Sequence, residues 1–329
     1  MQQPLIETHD PIDAVITWVD GTSPEHFEAR QTFMSAQGLQ LHENAVNPHR
    51  WVCNDEISYC LRSIATHAPW LRKIWIVVER GSPNLDGLPA AFRQKITFVS
   101  HSEIFAGFLS ALPTFNSLAI ESMLWRIEGL AERFLYFNDD VFLTSPLRPD
   151  DVFRGPMPVL RGKWVNYSNF VENAQARNDP AKFNHFMQIN AAILCGFDAG
   201  RLFSSAHAVH PLRRSVMHDL FDAHRTAFLA NIAHRFRDLA QFLPQGLHNH
   251  ACIAASDAVI HTARDHCHIK SGQGLGRPAA ETWSLLHRAA HPNVKFLCIN
   301  DLPQLEQVIP DARAWLHRTI GGDTRNIPC

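Results

Sequence analysis

Residues 134–143 read FLYFNDDVFL, so Asn138, Asp139 and Asp140 emerge together between two apolar runs. Adjacent carboxylates in such a place repel each other and lose hydration, and a cation or positive side chains must compensate them. A divalent metal is the economical compensation; a solvated Asn-Asp turn is the simpler alternative. Histidine is the other unusual resource. The chain has 20, clustered as HNH at 248–250 and in HTARDHCHIK at 261–270. Their irregular spacing reads as solvated imidazoles that titrate on a surface, with metal ligation as the rival. Cys53, Cys60, Cys195, Cys252, Cys267, Cys298 and Cys329 are odd in number and form no C-x-x-C pair. That argues against a disulfide framework and a Cys-rich zinc site, and it points to a reducing compartment.

The elements that must hold the acidic pair alternate along the first half. DAVITWV (13–19) is β-branched and apolar and ends at Asp20-Gly21, the pattern of a strand running into a loop. Ser23-Pro24-Glu25 supplies an N-cap, a proline at the first helical position and an acid in the first turn, for a helix that stops near Gly38. NDEISYCLRSIATHAP opens a second helix, with Asn54 as cap and Ile57, Cys60, Leu61 and Ile64 on one face until Pro69. KIWIVVE (73–79) and KITFVS (95–100) are continuous apolar runs, as expected of strands covered on both faces. Asn116 caps a helix with the stripe Leu118, Ile120, Met123, Leu124 and Ile127, and RFLYF (133–137) is the next strand. The succession predicts an α/β, Rossmann-like fold with a largely parallel sheet. Ligands of such sheets sit beyond the carboxyl ends of the strands, so the Asn-Asp-Asp turn falls at the rim of a binding site.

The second half is less regular. RGPMP (154–158) reads as a linker, dividing an α/β half, 1–155, from a helix-rich half, 156–329. A long helical stretch spans about 212–240, and VKFLCIND (294–301) is a final strand. SGQGLGRPAA (271–280) reads as a flexible loop, since no strand precedes it and no Lys-Ser/Thr follows. Thirty basic residues against 32 acidic ones leave a net charge of −2, so no global field draws the chain to nucleic acid or an anionic bilayer. The first residues lack a basic n-region with a cleavable apolar core, and no run approaches the roughly 18 apolar residues of a membrane span. The expectation is a cytoplasmic protein, with docking at the inner face of a membrane left open.

Five phrases together go beyond this patterning. IDAVITWVDG (12–21), NDEISYCLRSI with APWLRKIWIVVE (54–79), LPTFNSLAIES followed by FLYFNDDVFL (112–143), AHAVHPLRRSVMHDL (206–220) with HRFR (234–237), and KFLCIND (295–301) resemble, in order, the conserved regions of the Stealth family. Its members transfer a sugar 1-phosphate from a nucleotide diphosphate sugar to a glycan hydroxyl and release the nucleoside monophosphate. They include bacterial capsule polymerases and the catalytic subunits of the animal N-acetylglucosamine-1-phosphotransferase. The resemblance implies a glycosyltransferase-A-related core, a UDP-hexose or UDP-N-acetylhexosamine donor and an oligosaccharide or polysaccharide acceptor. It also implies Mg²⁺ or Mn²⁺, and peripheral association with a polysaccharide assembly complex.

Carried over residue by residue, the resemblance puts Asp13, Trp18, Asp20 and Gly21 on the nucleotide side. Asn54, Glu56, Arg62 and Ser63 belong to the second motif, and Asn116, Ser117, Glu121 and Asn138 accompany the acidic pair. His207, His234 and Arg237 form the third region, and Asn300 and Asp301 close the set. In the implied chemistry Asp139, Asp140 and Asp301 hold the metal. Arg237 grips phosphate, and His207 is the general base with Asp140 as its rival. The phrase around His207 departs from the animal one, with Val209 where that has proline, and the long animal insertions are missing. Two other readings stand beside this one: a conventional glycosyltransferase releasing the nucleoside diphosphate, and a non-catalytic protein that binds glycan or nucleotide.

Overall fold

The computed structural model describes residues 10–21, 23–36, 41, 54–270, 272 and 275–321. Its strands are β1 Ile12–Thr17, β2 Ile74–Val78, β3 Ile96–Ser100, β4 Arg133–Asn138, β5 Val141–Leu143 and β6 Phe153–Arg154, then β7 Met157–Val165, β8 Leu202–Ser205, β9 His210–Arg213, β10 Val259–His261, β11 His266–Ile269 and β12 Phe296–Ile299. The main sheet has the order β3-β2-β1-β4-β9. Its first four strands are parallel, and β9 closes the edge antiparallel to β4. Both faces are covered, which is why β2 is an unbroken apolar run and β1 is apolar apart from the buried Asp13 and its terminal Thr17. Ala14, Ile16, Leu135 and Phe137 face one core with the helix Glu56–His67, while Val15, Phe134 and Tyr136 face the other.

Because β1 lies between β2 and β4 and the order reverses there, the crevice between the ends of β1 and β4 is a topological switch point. Thr17 and Asn138 are register partners at that end, so the loop after β1 and the acidic turn after β4 share one rim. Beyond the turn, β5 pairs antiparallel with β12, and β12 runs parallel to β11. These contacts tie the second half to the turn. The halves drawn at 155/156 therefore share sheets: β9 joins β4, and β12 joins β5.

Several expectations need correction. RGPMP is not a linker but the turn of a hairpin between β6 and β7, with Gly155 at φ +59. The stretch 212–240 is not one helix. It begins as β9 and continues as helices Arg214–Ala223 and Arg225–Ala233, broken at His224. Asn54 does not cap its helix; Asp55 occupies the N-cap at φ 66, in the left-handed region that Asp tolerates, with no side-chain cap. After Asn116 the helix is short, Ser117–Glu121, followed by a 3₁₀ turn Leu124–Arg126 that keeps Leu118, Met123, Leu124 and Ile127 buried. The stop near Gly38 and part of the 271–280 loop lie outside the described residues. No described helix is long and apolar enough to cross a membrane.

The HNH cluster is neither solvated nor a metal site. His248, Asn249 and His250 are buried on the helix Pro244–Ala254. His248 Nε2 accepts the Arg213 amide at 3.0 Å, and His250 Nε2 accepts the Phe203 amide at 3.0 Å while its Nδ1–H donates to Gly246 O at 2.7 Å. Asn249 donates to Ser205 Oγ at 2.9 Å. The triplet thus ties one helix to β8 and β9 with neutral imidazoles, and burial pushes His248 down to about 3. Such ties matter because a buried strand amide left without a partner incurs the full cost of its desolvation.

A second buried polar tie joins β7 to the start of β11. Arg161 Nε and Nη2 donate to both oxygens of Asp265, at 2.7–3.0 Å, and the guanidinium lies 4.4 Å from the Phe296 ring centre. Burial alone would raise the Asp265 carboxyl, but hydrogen bonds from His266 and Arg161, with the charges of Arg161 and His261, hold it below the usual range. Removing one partner strands the other in the core. Arg161→Met should therefore lower stability by about 3–5 kcal/mol in chemical denaturation. Because the folded pKa of Asp265 is depressed, its contribution is present above the unfolded value of about 3.9 and is lost as pH falls. The gap between wild type and Asp265→Asn should accordingly narrow below about pH 4.

Candidate active site

The acidic turn leaves β4 with its oxygens at the rim. Tyr136 hydroxyl donates to Asn138 Oδ1 at 2.7 Å and lies 3.1 Å from Thr17 Oγ1, which fixes Asn138 as the last residue of the strand. Asp139 and Asp140 are half-buried, and the helix Glu56–His67 begins against them. Burial first, then the charges of Asp140 and Glu56, push the Asp139 carboxyl up to about 8. Glu56 is also raised, by burial and by the charge of Asp140, although hydrogen bonding at Asn54 opposes this. Carboxylates that raise one another in this way make a place where a cation is favoured.

The second half supplies what surrounds the turn. Asn300, following β12, donates through Nδ2 to Asp140 Oδ2 at 3.0 Å. Its Oδ1 accepts from His268 Nε2 on β11, and the His268 ring lies 4.3 Å, centre to centre, from His207. His207 sits in the loop between β8 and β9 with one edge in solvent. Lost hydration, then the neighbouring His268, His210, Arg237 and Lys270, hold its pKa below the ordinary imidazole value. The ring is therefore neutral at pH 7 and carries a free lone pair.

Arg237 comes from the loop after the helix Arg225–Ala233 and donates to Ser117 Oγ at 2.6 Å. Glu121, Tyr136 and Asp140 are the charges and hydroxyl it faces. Burial pushes Glu121 up to about 7; Arg237 and hydrogen bonds to Ser117, Tyr136 and Gln245 moderate that rise. The guanidinium thus stands between a buried acid and the rim, positioned to meet an anion.

On the other side of the rim a cleft of about 510 Å³ opens past β1 and β2, lined by Trp18, Asp20, His26, Glu79 and Arg80 among others. His26 Nδ1 and Glu79 Oε2 are 2.8 Å apart on its wall. Trp18 Nε1 is buried without a hydrogen-bond partner among the described residues. Gly21 follows, buried, in the same loop.

Some expected site residues are engaged elsewhere. Asp13 lies at the opposite end of β1, fully buried, where Arg72, Trp75 Nε1 and the Ala131 amide all donate to it. It holds the sheet together and is removed from the nucleotide side. Asn116 caps Ser117–Glu121 through Oδ1, and its Nδ2 donates to His234 O, Phe236 O and Gln241 Oε1 at 2.8–3.0 Å, so it anchors the Arg237 loop and offers no ligand group. His234 enters that network through its carbonyl. Ser63 donates to Cys60 O and accepts from the Leu143 amide, joining helix to β5. Arg62 rests its guanidinium near Gly87. The Asn54 amide donates to Glu56 Oε2, and its carbonyl accepts from Arg313. Asp301 caps the helix Leu302–Val308 through the Gln304 amide, so the neighbour that reaches Asp140 is Asn300 and not the expected acid.

Sequence reading did not assign Tyr136 to the site, and it took His268, in the 261–270 cluster, for a solvated imidazole with metal ligation as the rival. The alternation in HCHI puts His266 and His268 on one face of a strand, and the Asn-Asp end of β12 was the nearest signal; only the β11–β12 register joins them.

Residues 10–38 match Stealth protein CR1, conserved region 1, and residues 50–157 match Stealth protein CR2, conserved region 2. The chain is 31% identical over 325 residues to the exopolysaccharide phosphotransferase SCO2594 of Streptomyces coelicolor, covering 94% of this chain and 50% of that protein. It is 32% identical over 300 residues to an exopolysaccharide phosphotransferase of Nocardia farcinica, covering 88% and 55%. With the exopolysaccharide phosphotransferase CpsY of Mycobacterium tuberculosis (H37Rv) the identity is 36% over 236 residues, 69% of this chain and 41% of that one. The chain spans about half the length of the curated relatives it matches. Among solved structures, the galactosyltransferase LgtC with donor and acceptor sugar analogs aligns at 14% identity and a TM-score of 0.44 over 92% of this chain and 95% of that one. Through its first and second conserved regions, the chain belongs to the Stealth family.

Proposed function

We propose that this chain transfers a sugar 1-phosphate from a nucleotide diphosphate sugar, a UDP-hexose or UDP-N-acetylhexosamine, to a hydroxyl of a glycan acceptor in capsule or exopolysaccharide synthesis. A phosphodiester forms and the nucleoside monophosphate leaves. The observation that carries this reading is the convergence of the acidic turn, Arg237 and a neutral His207 at the switch point of the sheet. The curated relatives are named exopolysaccharide phosphotransferases, which supports the same class.

The donor's nucleoside end fits the cleft beside Trp18 and Arg80, with the diphosphate directed along the rim toward Asp139 and Asp140. Crowded carboxylates are what a hard divalent cation satisfies, so the two aspartates would hold Mg²⁺ or Mn²⁺. When bound, that ion neutralises charge on the diphosphate. Arg237 grips phosphoryl oxygens and offsets the charge that grows on the leaving monophosphate. His207 takes the proton of the acceptor hydroxyl as oxygen attacks the sugar-bearing phosphorus. Asp140 is the weaker candidate for base, since it is hydrogen-bonded to Asn300 and belongs to the cation site.

The test is product analysis with purified protein and a panel of nucleotide sugars. The reading requires nucleoside monophosphate with retained anomeric configuration; nucleoside diphosphate would instead identify an ordinary glycosyl transfer. Asp139→Asn or Asp140→Asn should abolish turnover without lowering the denaturation midpoint of the metal-free protein. His207→Ala should lower kcat by roughly 10²- to 10⁴-fold, and a smaller loss would move the base elsewhere.

Cation binding must displace the proton of Asp139, whose pKa is about 8 in the metal-free protein. Below that pH, Mg²⁺ affinity should fall about tenfold per unit, with one proton released per ion in calorimetry across buffers. The linkage sign is opposite to that of Asp265. The folded pKa of Asp139 lies above the unfolded one, so its ionisation weakens the metal-free fold as pH rises from about 4 to 8. The thermal shift produced by Mg²⁺ should therefore grow over the same range.

A further inference from the structure

We propose a second, soft-metal site beside the acidic turn: His207, His268 and Cys298 bind one Zn²⁺ ion, and its binding occupies the lone pair that His207 needs as a base. One ligand atom from each of these side chains lies within 4.8 Å of the other two. The ladder holds two of them together, because His268 and Cys298 are register partners of the parallel β11–β12 pair. His207 arrives from the β8–β9 loop with its ring 4.3 Å from that of His268.

The surrounding hydrogen bonds suit coordination. Asn300 accepts the Nε2–H of His268, leaving the lone pair on Nδ1, and its amide Nδ2 lies 3.6 Å from Cys298 Sγ. A single side chain thus orients two of the ligands, the support that metal-binding imidazoles and thiolates ordinarily have. Zinc bonds of about 2.0–2.3 Å in a tetrahedron put ligand atoms about 3.5 Å apart. The remaining contraction falls to His207, the exposed member, which moves by side-chain rotation. Three ligands leave a fourth position for water or an anion.

Chemistry separates this site from its neighbour. A thiolate and two imidazoles favour zinc, whereas Asp139 and Asp140 offer oxygens suited to magnesium or manganese. On binding, the Cys298 S–H bond is exchanged for an S–Zn bond and the proton goes to solvent, with no change of oxidation state. Zinc is then a reversible off-switch: the acceptor hydroxyl loses its proton acceptor while Mg²⁺ stays in place. The inhibition rests on the assignment of His207 as base; the binding does not.

The experiment uses the purified full chain, stripped with chelator and held in saturating Mg²⁺, titrated with Zn²⁺ and separately with Co²⁺ as a spectroscopic probe. The expected result is one zinc per chain and a thiolate-to-cobalt absorption band. Cys298→Ser and His268→Gln should remove the band and weaken zinc binding about tenfold or more, and Asp139→Asn should leave both intact. His207→Ala, at an exposed position, controls for any folding defect of the buried variants and should also weaken zinc. Zinc should inhibit monophosphate release by wild type reversibly, and Cys298→Ser should turn over without that inhibition. Zinc binding that survives in Cys298→Ser and His268→Gln but is lost in Asp139→Asn would overturn the site. Stoichiometric zinc with the cobalt band but no inhibition would keep the site and overturn the base assignment.

Discussion

Negative charge gathered at the end of β4 is the constraint around which the molecule is organised. Asp139 and Asp140 follow one another where the strand leaves the core, and Glu56 comes up against them from the start of its helix. Burial and the charges of Asp140 and Glu56 make ionisation of Asp139 harder, and burial and Asp140 do the same to Glu56, in a place that water only partly reaches. A turn of this kind lowers the stability of an unliganded protein and becomes favourable when a cation and a polyanionic ligand arrive together. Its persistence at the switch point of a parallel sheet, where ligands bind, is what gives it functional meaning.

Most of the second half compensates or frames that charge. β12 pairs with β5 directly after the turn and brings Asn300 to Asp140. β11 brings His268 beside Asn300, and the β8–β9 loop lays His207 against it. From the other side, Asn116 fastens the loop that carries Arg237, and Ser117 receives the guanidinium. His207, Arg237 and the acids therefore come from separate parts of the chain, held by buried polar ties such as His248, His250 and the Arg161–Asp265 pair. These ties fix the rim, as the proposed transfer by positioning and electrostatics requires.

What the sequence disclosed follows from the range of its signals. β1, β2 and β4 are largely apolar runs covered on both faces, whereas β3, expected to be covered likewise, is an edge strand with Phe98 exposed; each announces itself locally. The acidic turn was visible because two carboxylates between apolar segments demand an explanation. Asn116 and Asp301 were seen, but a capping side chain and a ligand-binding one have the same identity; only their partners distinguish them. Asp13 belonged to the right motif and yet sits at the far end of its strand, held by Arg72 and Trp75. The HNH triplet looked like surface histidine because its acceptor roles depend on strand amides some forty residues upstream. His268 was read as a solvated imidazole for the same reason, since its partner Asn300 is reached only through strand pairing.

Paramagnetic relaxation of phosphorus most directly tests whether the aspartates seat a cation against the donor diphosphate. With Mn²⁺ and a bound nucleotide diphosphate sugar, both phosphorus resonances should relax strongly in the wild type. In the Asp139→Asn, Asp140→Asn double variant, at a donor concentration that keeps the cleft filled, that enhancement should vanish. Equal relaxation in the two proteins, or none in either, would contradict the account.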